Sequence, residues 1–142
     1  MKKFALGLLL TLLISGCSNS DEVIEISERF FVQQISDISF NYNEFRGRTI
    51  RYDGIFRATT SPETGELIHI VYRYVLGCCG PEGIIGFEVD LGAINPLADE
   101  AWVQIEGVLE SFEDHFGMTR MRVALDSITE LEKRGDEIVS FQ

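Results

Sequence analysis

Two adjacent cysteines, Cys78 and Cys79, stand in a glycine-rich turn, with Glu82 three residues beyond the second of them. Apolar, β-forming stretches at residues 71–76 and 84–90 flank the turn, so the sequence predicts strand, tight loop and strand. The side chains of successive residues in a regular strand point to opposite faces. Two neighbouring thiols can therefore reach the same ion only where the backbone departs from regular strand geometry. The flanking glycines permit that departure. Because thiolate sulfur suits Zn²⁺ and Cu⁺, we predict a metal site formed by Cys78, Cys79 and Glu82.

This turn offers three ligands, whereas a structural zinc site usually has four. The candidate extra ligands are His69, His115 and Glu88, provided that the fold brings them near, and a partner protein could supply the missing ligand instead. Arg73 is the candidate for tuning the thiols, because a nearby positive charge lowers the pKa of a thiol. The alternative for Arg73 is an outward-facing strand arginine paired with a carboxylate.

Two other roles for the cysteine pair remain open. The first is thiol–disulfide redox chemistry. Neighbouring Cα atoms lie about 3.8 Å apart, whereas disulfides usually need roughly 4.4–6.8 Å, so a bridge between Cys78 and Cys79 would be strained and easily reduced. The second is a structural turn with inert thiols, since unpaired cysteine often packs as a small hydrophobic residue.

The N-terminus has the pattern of a bacterial lipoprotein signal. Two lysines precede an apolar run at residues 4–14 that is too short to span a bilayer, and Ile14-Ser15-Gly16-Cys17 resembles a lipobox. We therefore predict a signal peptide over residues 1–16, lipidation of Cys17 with fatty acyl chains such as palmitate, a linker over residues 17–27 and one folded domain over residues 28–142. The protein is then expected outside the cytoplasm, anchored to a bacterial membrane.

Acidic residues dominate the charge. The chain has 12 Lys and Arg against 23 Asp and Glu, a net charge of −11, and loss of the two lysines of the signal peptide would change it to −13. Such a charge repels nucleic acid, so we expect no nucleic-acid partner. The order of Ser, His and Asp residues in the sequence does not indicate a catalytic triad, and there is no phosphate-binding glycine loop ahead of a helix. We therefore interpret the protein as a binding module that is not an enzyme.

The hydrophobic pattern predicts an all-β domain with few short helices. Five or six strands are expected, two of them bent at glycine, Gly54 and Gly107, which favours a small closed OB-like β-barrel over a split sandwich. The apolar residues within 28–35 fit two periods, and we favour a strand at Phe30–Ile35 over a helix at Glu28–Ile35. Trp102 and the neighbouring tyrosines are expected to pack in the core rather than line a ligand face.

Several blocks of the sequence resemble one known family. They are Gly54-Ile55-Phe56, Tyr72-Arg73-Tyr74, Gly77-Cys78-Cys79-Gly80, Gly86-Phe87-Glu88-Val89 and residues 102–109 from Trp102 to Leu109. The family is the extracytoplasmic C-terminal domain of bacterial membrane proteins regarded as permease subunits, together with related stand-alone lipoproteins. The resemblance covers roughly Phe30 to Leu131. It implies an OB-like fold and an accessory role beside a membrane permease, with a link to metal handling, and it supplies no activity. The family more often has aspartate where Glu82 stands, so the carboxylate here has a different reach.

Overall fold

The computed structural model describes residues 22–78 and 80–141, so Cys17 and Cys79 lie outside the described part of the chain. In chain order the elements are β1 (Ile24–Glu25), α1 (Phe31–Phe40), α2 (Tyr42–Phe45), β2 (Thr49–Thr60), β3 (Leu67–Gly77), β4 (Gly80–Asp90), β5 (Trp102–Glu113), β6 (Thr119–Glu130) and β7 (Ile138–Val139). None of the helices within these two ranges is long and apolar enough to cross a membrane.

Five strands close into a barrel in the order β2-β5-β6-β4-β3, with β3 pairing back onto β2. The neighbouring strands are antiparallel except β4 and β6, which run parallel. The two short strands lie outside this ring, β1 on β2 and β7 on β3, both in parallel. This arrangement confirms the prediction of a small closed OB-like barrel.

The core lies inside the barrel. Alternate residues of each strand face inward, as the side-chain period of two requires, and most of these apolar side chains are fully buried. They include Ile50, Tyr52 and Phe56 of β2, Val71 of β3, Phe87 of β4, Val103, Ile105 and Leu109 of β5, and Val123 of β6. Helix α1 adds its own apolar face to the same core.

The structure corrects one secondary-structure prediction, because the strand expected at Phe30–Ile35 is the start of helix α1. The buried residues of α1 are Phe31, Val32, Ile35 and Ile38, a spacing that lies on one face of a helix with 3.6 residues per turn. The strand prediction considered residues 30–35, whereas Ile38, which lies beyond that range, completes the buried face of the helix. The competing helical interpretation was therefore the better one.

The predicted glycine bends occur where two strands approach closely. A Cβ atom on Gly54 would lie 3.0 Å from the carbonyl oxygen of Tyr72, and one on Gly107 would lie 2.3 Å from that of Ala124. The register of β5 against β6 also shifts between Glu106 and Gly107, as at a β-bulge. Strands of a small barrel must coil to close, and the absence of a side chain at these points permits it.

A buried hydroxyl group joins β3 to β4 inside the barrel. Tyr52 Oη donates a hydrogen bond to the carbonyl oxygen of Val71 at 2.8 Å, and it accepts one from the amide of Phe87 at 3.2 Å. Val71 and Phe87 are cross-strand partners, so the hydroxyl lies between two backbone groups of one ladder. Burial raises the pKa of Tyr52, and the hydroxyl therefore keeps the proton that it donates.

We expect Tyr52→Phe to lower the free energy of unfolding by about 1–3 kcal/mol, since it leaves a buried N–H and a buried C=O without their shared partner. Urea unfolding monitored by circular dichroism measures this change. The matched control is Tyr72→Phe, whose hydroxyl lies 3.3 Å from the hydroxyl of Tyr74 and bonds no backbone group among the described residues. Equal losses in the two variants would contradict the bridging role of Tyr52.

Candidate functional site

The thiol turn is the tip of the hairpin formed by β3 and β4. The two strands pair as far as Gly77 and Gly80, and the register shifts between Val75 and Leu76 just before the tip. Cys78 is exposed, and its Sγ donates a hydrogen bond to Glu82 Oε1 at 3.3 Å. The backbone thus brings a thiol and a carboxylate together on the solvent side of the turn.

A glycine makes this contact possible. A Cβ atom on Gly77 would lie 1.9 Å from Glu82 Cδ and 2.0 Å from Oε2, far inside van der Waals contact. The carboxylate therefore folds back over Gly77, into space that any other residue would fill. Gly80 has a φ of +129°, a conformation that side-chain-bearing residues rarely adopt. These two glycines have the role that the sequence predicted for them, which is to take the turn out of the regular pleat.

The fold places the proposed extra ligands away from the turn. His69 lies at the start of β3, stacked on Phe56 with ring centroids 5.6 Å apart. Glu88 pairs with Ile70 near the same end of the hairpin, and His115 lies in the loop between β5 and β6, against Phe116.

His69 lies eight residues before Gly77 along β3, on the order of 25 Å of extended chain. His69 therefore cannot bind the same ion as Cys78 in this conformation. Within residues 22–78 and 80–141, no group of three or more His, Cys, Asp and Glu side chains is arranged to hold a metal ion. Cys79, the second predicted thiol ligand, lies outside the described residues, so the prediction for the turn itself stays a prediction.

Arg73 is buried in the structure, whereas the sequence indicated a position near the thiols or an outward-facing one. Its side chain is only 3% exposed, so it does not face outward. The guanidinium group donates to the carbonyl oxygens of Asp53 at 2.9 Å and Asp136 at 3.1 Å, and to Glu28 Oε1 at 3.3 Å. It also lies between two aromatic rings, 4.5 Å from the centroid of Phe31 and 4.9 Å from that of Trp102.

This Arg73 cluster, made of Arg73, Glu28, Asp136, Phe31 and Trp102, joins the two ends of the domain. Glu28 precedes α1 and Asp136 precedes β7, and Glu28 Oε1 also accepts a hydrogen bond from the Asp136 amide at 2.7 Å. The amide of Asp136 lowers the pKa of Glu28, with Arg73 adding to the shift, while burial lowers the pKa of Arg73 itself. The arginine thus holds the entry and exit segments of the barrel together.

The thiol-tuning role gains no support from this placement. Cys78 lies five residues after Arg73 along β3 and the turn, about 16 Å of extended chain. The hydrogen bonds of Arg73 moreover turn its guanidinium toward Glu28 and Asp136. The contacts of Arg73 are with Asp53, Glu28 and Asp136 and not with Cys78, so tuning of the thiols by Arg73 stays a prediction.

A cleft that sequence reasoning missed lies between the β2–β3 loop and the β5–β6 loop. Its volume is about 410 Å³. Five acidic residues line it, Glu63, Glu66, Glu88, Glu113 and Asp114, beside His115, two arginines and three apolar residues, Leu67, Ile68 and Phe112. One of the arginines, Arg122, is paired with Asp90 at 3.0 Å and with Glu110 at 2.6 Å. The cleft therefore carries a surplus of negative charge.

OB folds commonly bind their ligands on this face, between the same two loops. The surplus of carboxylates favours cations or basic side chains there and opposes a phosphate backbone. The sequence held one signal, the acidic pair Glu113-Asp114 in a turn, which by itself indicated only a solvated loop. What the sequence could not show is that Glu63 and Glu66, some fifty residues earlier, face the same space.

Comparison with known proteins identifies a family for this chain. No curated protein matches the chain. A family model does match, that of the DUF1980 C-terminal domain, and it covers residues 14–139, nearly the whole sequence. The family has no established activity, so the match identifies the domain without naming a ligand. By this match the chain belongs to the DUF1980 C-terminal domain family.

Proposed function

We propose that this protein is an extracytoplasmic lipoprotein and a non-enzymatic accessory domain of a membrane transport system, which binds a thiophilic cation at its Cys-Cys turn. The lipobox ending at Cys17 supports the anchor. Membership of the DUF1980 C-terminal domain family and the OB-like barrel support an accessory binding domain. The role beside a permease rests on the resemblance of Arg73, the cysteine pair and the strand from Trp102 to that family's membrane proteins.

One observation carries the cation-binding part of the proposal. Cys78 Sγ and Glu82 Oε1 lie 3.3 Å apart on an exposed turn, where an arriving ion meets both donors without crossing the core. Cys79 follows directly in the sequence and is the proposed second thiolate. Two thiolates and a carboxylate suit Zn²⁺, and the thiolates alone suit Cu⁺.

The remaining ligand position would be filled from outside the turn. Since the β3–β4 hairpin separates His69 and Glu88 from Cys78, water or a group of the partner protein is the proposed fourth ligand. An open position of this kind suits a protein that passes an ion on, because closed four-ligand sites are the structural ones. Binding would displace the thiol protons, so affinity should rise with pH toward the thiol pKa.

The two alternative roles of the cysteine pair, redox chemistry and inert packing, require different features of the turn. Redox turnover needs a reversible bond between Cys78 and Cys79, and the short Cα separation of adjacent residues disfavours it. Inert packing needs a buried thiol, whereas Cys78 is exposed. Both observations favour ligation over the alternatives.

Metal titration of cysteine variants tests this function. We expect the double variant Cys78→Ser, Cys79→Ser to lose at least about 100-fold in Zn²⁺ or Cu⁺ affinity, because a hydroxyl group is a poor donor for either ion. The assay is competition with a chromogenic chelator, using protein purified under reducing conditions. Unchanged affinity in the double variant would refute cation binding at the turn.

The matched control is Cys17→Ser, which removes a thiol but leaves the turn intact. This variant should bind metal like the wild type, whereas in cells it should leave the membrane fraction and lose its acyl modification by mass spectrometry. Membrane retention without acylation would contradict the anchor, independently of the metal result.

A further inference from the structure

The β3–β4 hairpin extends beyond the closed part of the barrel and leaves one strand edge open. β4 pairs with β3 from Val89 back to Gly80, but it pairs with β6 only over Glu88–Asp90. Within the described ranges, no strand pairs with the other edge of β4 between Gly80 and Phe87. An open edge of this kind carries unpaired N–H and C=O groups that can accept another strand.

The direction of the backbone groups along this edge follows from Phe87. The N–H of Phe87 points toward β3, where it donates a hydrogen bond to the Tyr52 hydroxyl group. The same hydroxyl group donates a hydrogen bond to the carbonyl oxygen of Val71 on β3. In an antiparallel ladder, the N–H and C=O groups of successive residues point to opposite sides. Ile84 and Gly86 therefore turn their backbone groups away from β3 and toward the open edge, whereas the register shift between Val75 and Leu76 interrupts the alternation before Glu82. Pro81–Ile84 are exposed along it.

This edge has little of the protection that exposed strands usually carry. Proline and charge occur only at its tip, as Pro81 and Glu82, and residues 83–87 have no charged side chain in a chain that is 25% charged. The adjoining sheet face is apolar. Tyr74 is the cross-strand partner of both Ile84 and Ile138, and the two isoleucines are 54% and 48% exposed.

We propose that the open edge of β4 binds an extended segment of a partner protein, which adds a strand to the sheet. Backbone hydrogen bonds to Ile84 and Gly86 would hold the segment. Its alternate side chains would be apolar, to cover Ile84, with a basic residue beside Glu82. A second copy of this chain fits poorly, because two bodies of net charge −11 repel each other. The proposal needs no metal and stands apart from the function proposed for the thiols.

Fluorescence anisotropy of the complete chain with a short blocked peptide of alternating valine and lysine, at physiological salt, tests this inference. We expect saturable binding that Ile84→Pro weakens by at least about tenfold, since proline removes an open-edge N–H and obstructs the added strand. Proline is tolerated where the N–H faces solvent, so the barrel should remain folded. The matched control is Ile84→Val, which keeps the amide and should bind within about twofold of wild type.

Each of the following results would overturn the proposal. One is equal binding by wild type and Ile84→Pro, and another is no binding by wild type. The third is equal binding of a peptide that has the same charge but proline in place of two valines, which would mean attraction to the acidic body. If Ile84→Pro does not fold, amide hydrogen exchange of the wild type decides, because the peptide should protect the amides of Ile84 and Gly86. Self-association through this edge in sedimentation, without peptide binding, would make a second copy the occupant and equally refute the proposal.

Discussion

Arg73→Met is expected to destabilise the domain by about 3–4 kcal/mol, because the buried guanidinium group serves five partners at once. The substitution leaves the carbonyl oxygens of Asp53 and Asp136 without their donor. It also removes the cation from between the rings of Phe31 and Trp102, a contact worth up to about 2 kcal/mol per ring when desolvated. Methionine has a similar volume, so little of the loss should come from a cavity. Chemical unfolding followed by tryptophan fluorescence measures the change.

Two control variants separate the reasons for this loss. Arg134→Met removes a second arginine that faces Trp102, with its guanidinium 5.8 Å from the ring centroid, but its side chain is 44% exposed. We expect a loss below about 1 kcal/mol. Arg73→Lys keeps the charge but not the planar fork, and should fall between the two. A loss at Arg73→Met no larger than that at Arg134→Met would refute the role of the Arg73 cluster.

Gly86→Ala is expected to cost about 3 kcal/mol or more, since the barrel has no room for a side chain there. A Cβ atom on Gly86 would lie 2.1 Å from the carbonyl oxygen of Val71 and 2.8 Å from the Cα of Tyr72. Both obstacles are backbone atoms of the paired strand β3, so neither can rotate away. The strands must separate instead, which also disturbs the hydroxyl bridge from Tyr52 to Phe87. Thermal unfolding by circular dichroism should show a markedly lower midpoint.

Gly83→Ala provides the matched control on the same strand. Gly83 is exposed and has nothing within 4 Å of its Cβ position, and its φ lies in the range that other residues adopt. Alanine there should be neutral or stabilise by up to about 1 kcal/mol, because it restricts the unfolded chain. Comparable destabilisation by Gly83→Ala and Gly86→Ala would show that the loss at Gly86 does not come from the close approach to β3.

The thiol turn and the acidic cleft occupy opposite ends of the β3–β4 hairpin. Cys78 and Glu82 lie at its tip, while Ile68 and Glu88 near its base line the cleft. An extended partner bound along β4 would run between the two. This arrangement lets one partner segment contact the proposed metal-binding turn and the acidic barrel surface together, and each contact can be removed separately by substitution.

The sequence by itself determined the features that depend on neighbouring residues. Alternation of apolar residues predicted the strands of the hairpin, and Gly54 and Gly107 marked the bends that close the barrel. The turn chemistry around Cys78 was equally local, since a few glycines suffice to bring a carboxylate four residues away back to the thiol. Such features follow from the chain's own geometry, with little help from distant segments.

Only the tertiary structure decided which distant residues meet. A strand pattern cannot show that Arg73 enters a cage formed by Phe31, Trp102 and the carbonyl of Asp136. Nor can it show that His69 and Cys78 stand at opposite ends of one hairpin. Burial also decided that α1 is a helix. The apolar residues at 30–32 fit the spacing of a strand as well as that of a helix, and packing against the barrel core favours the helix, which buries Ile38 as well. Burial and long-range contact are properties of the closed barrel, and no short window of sequence contains them.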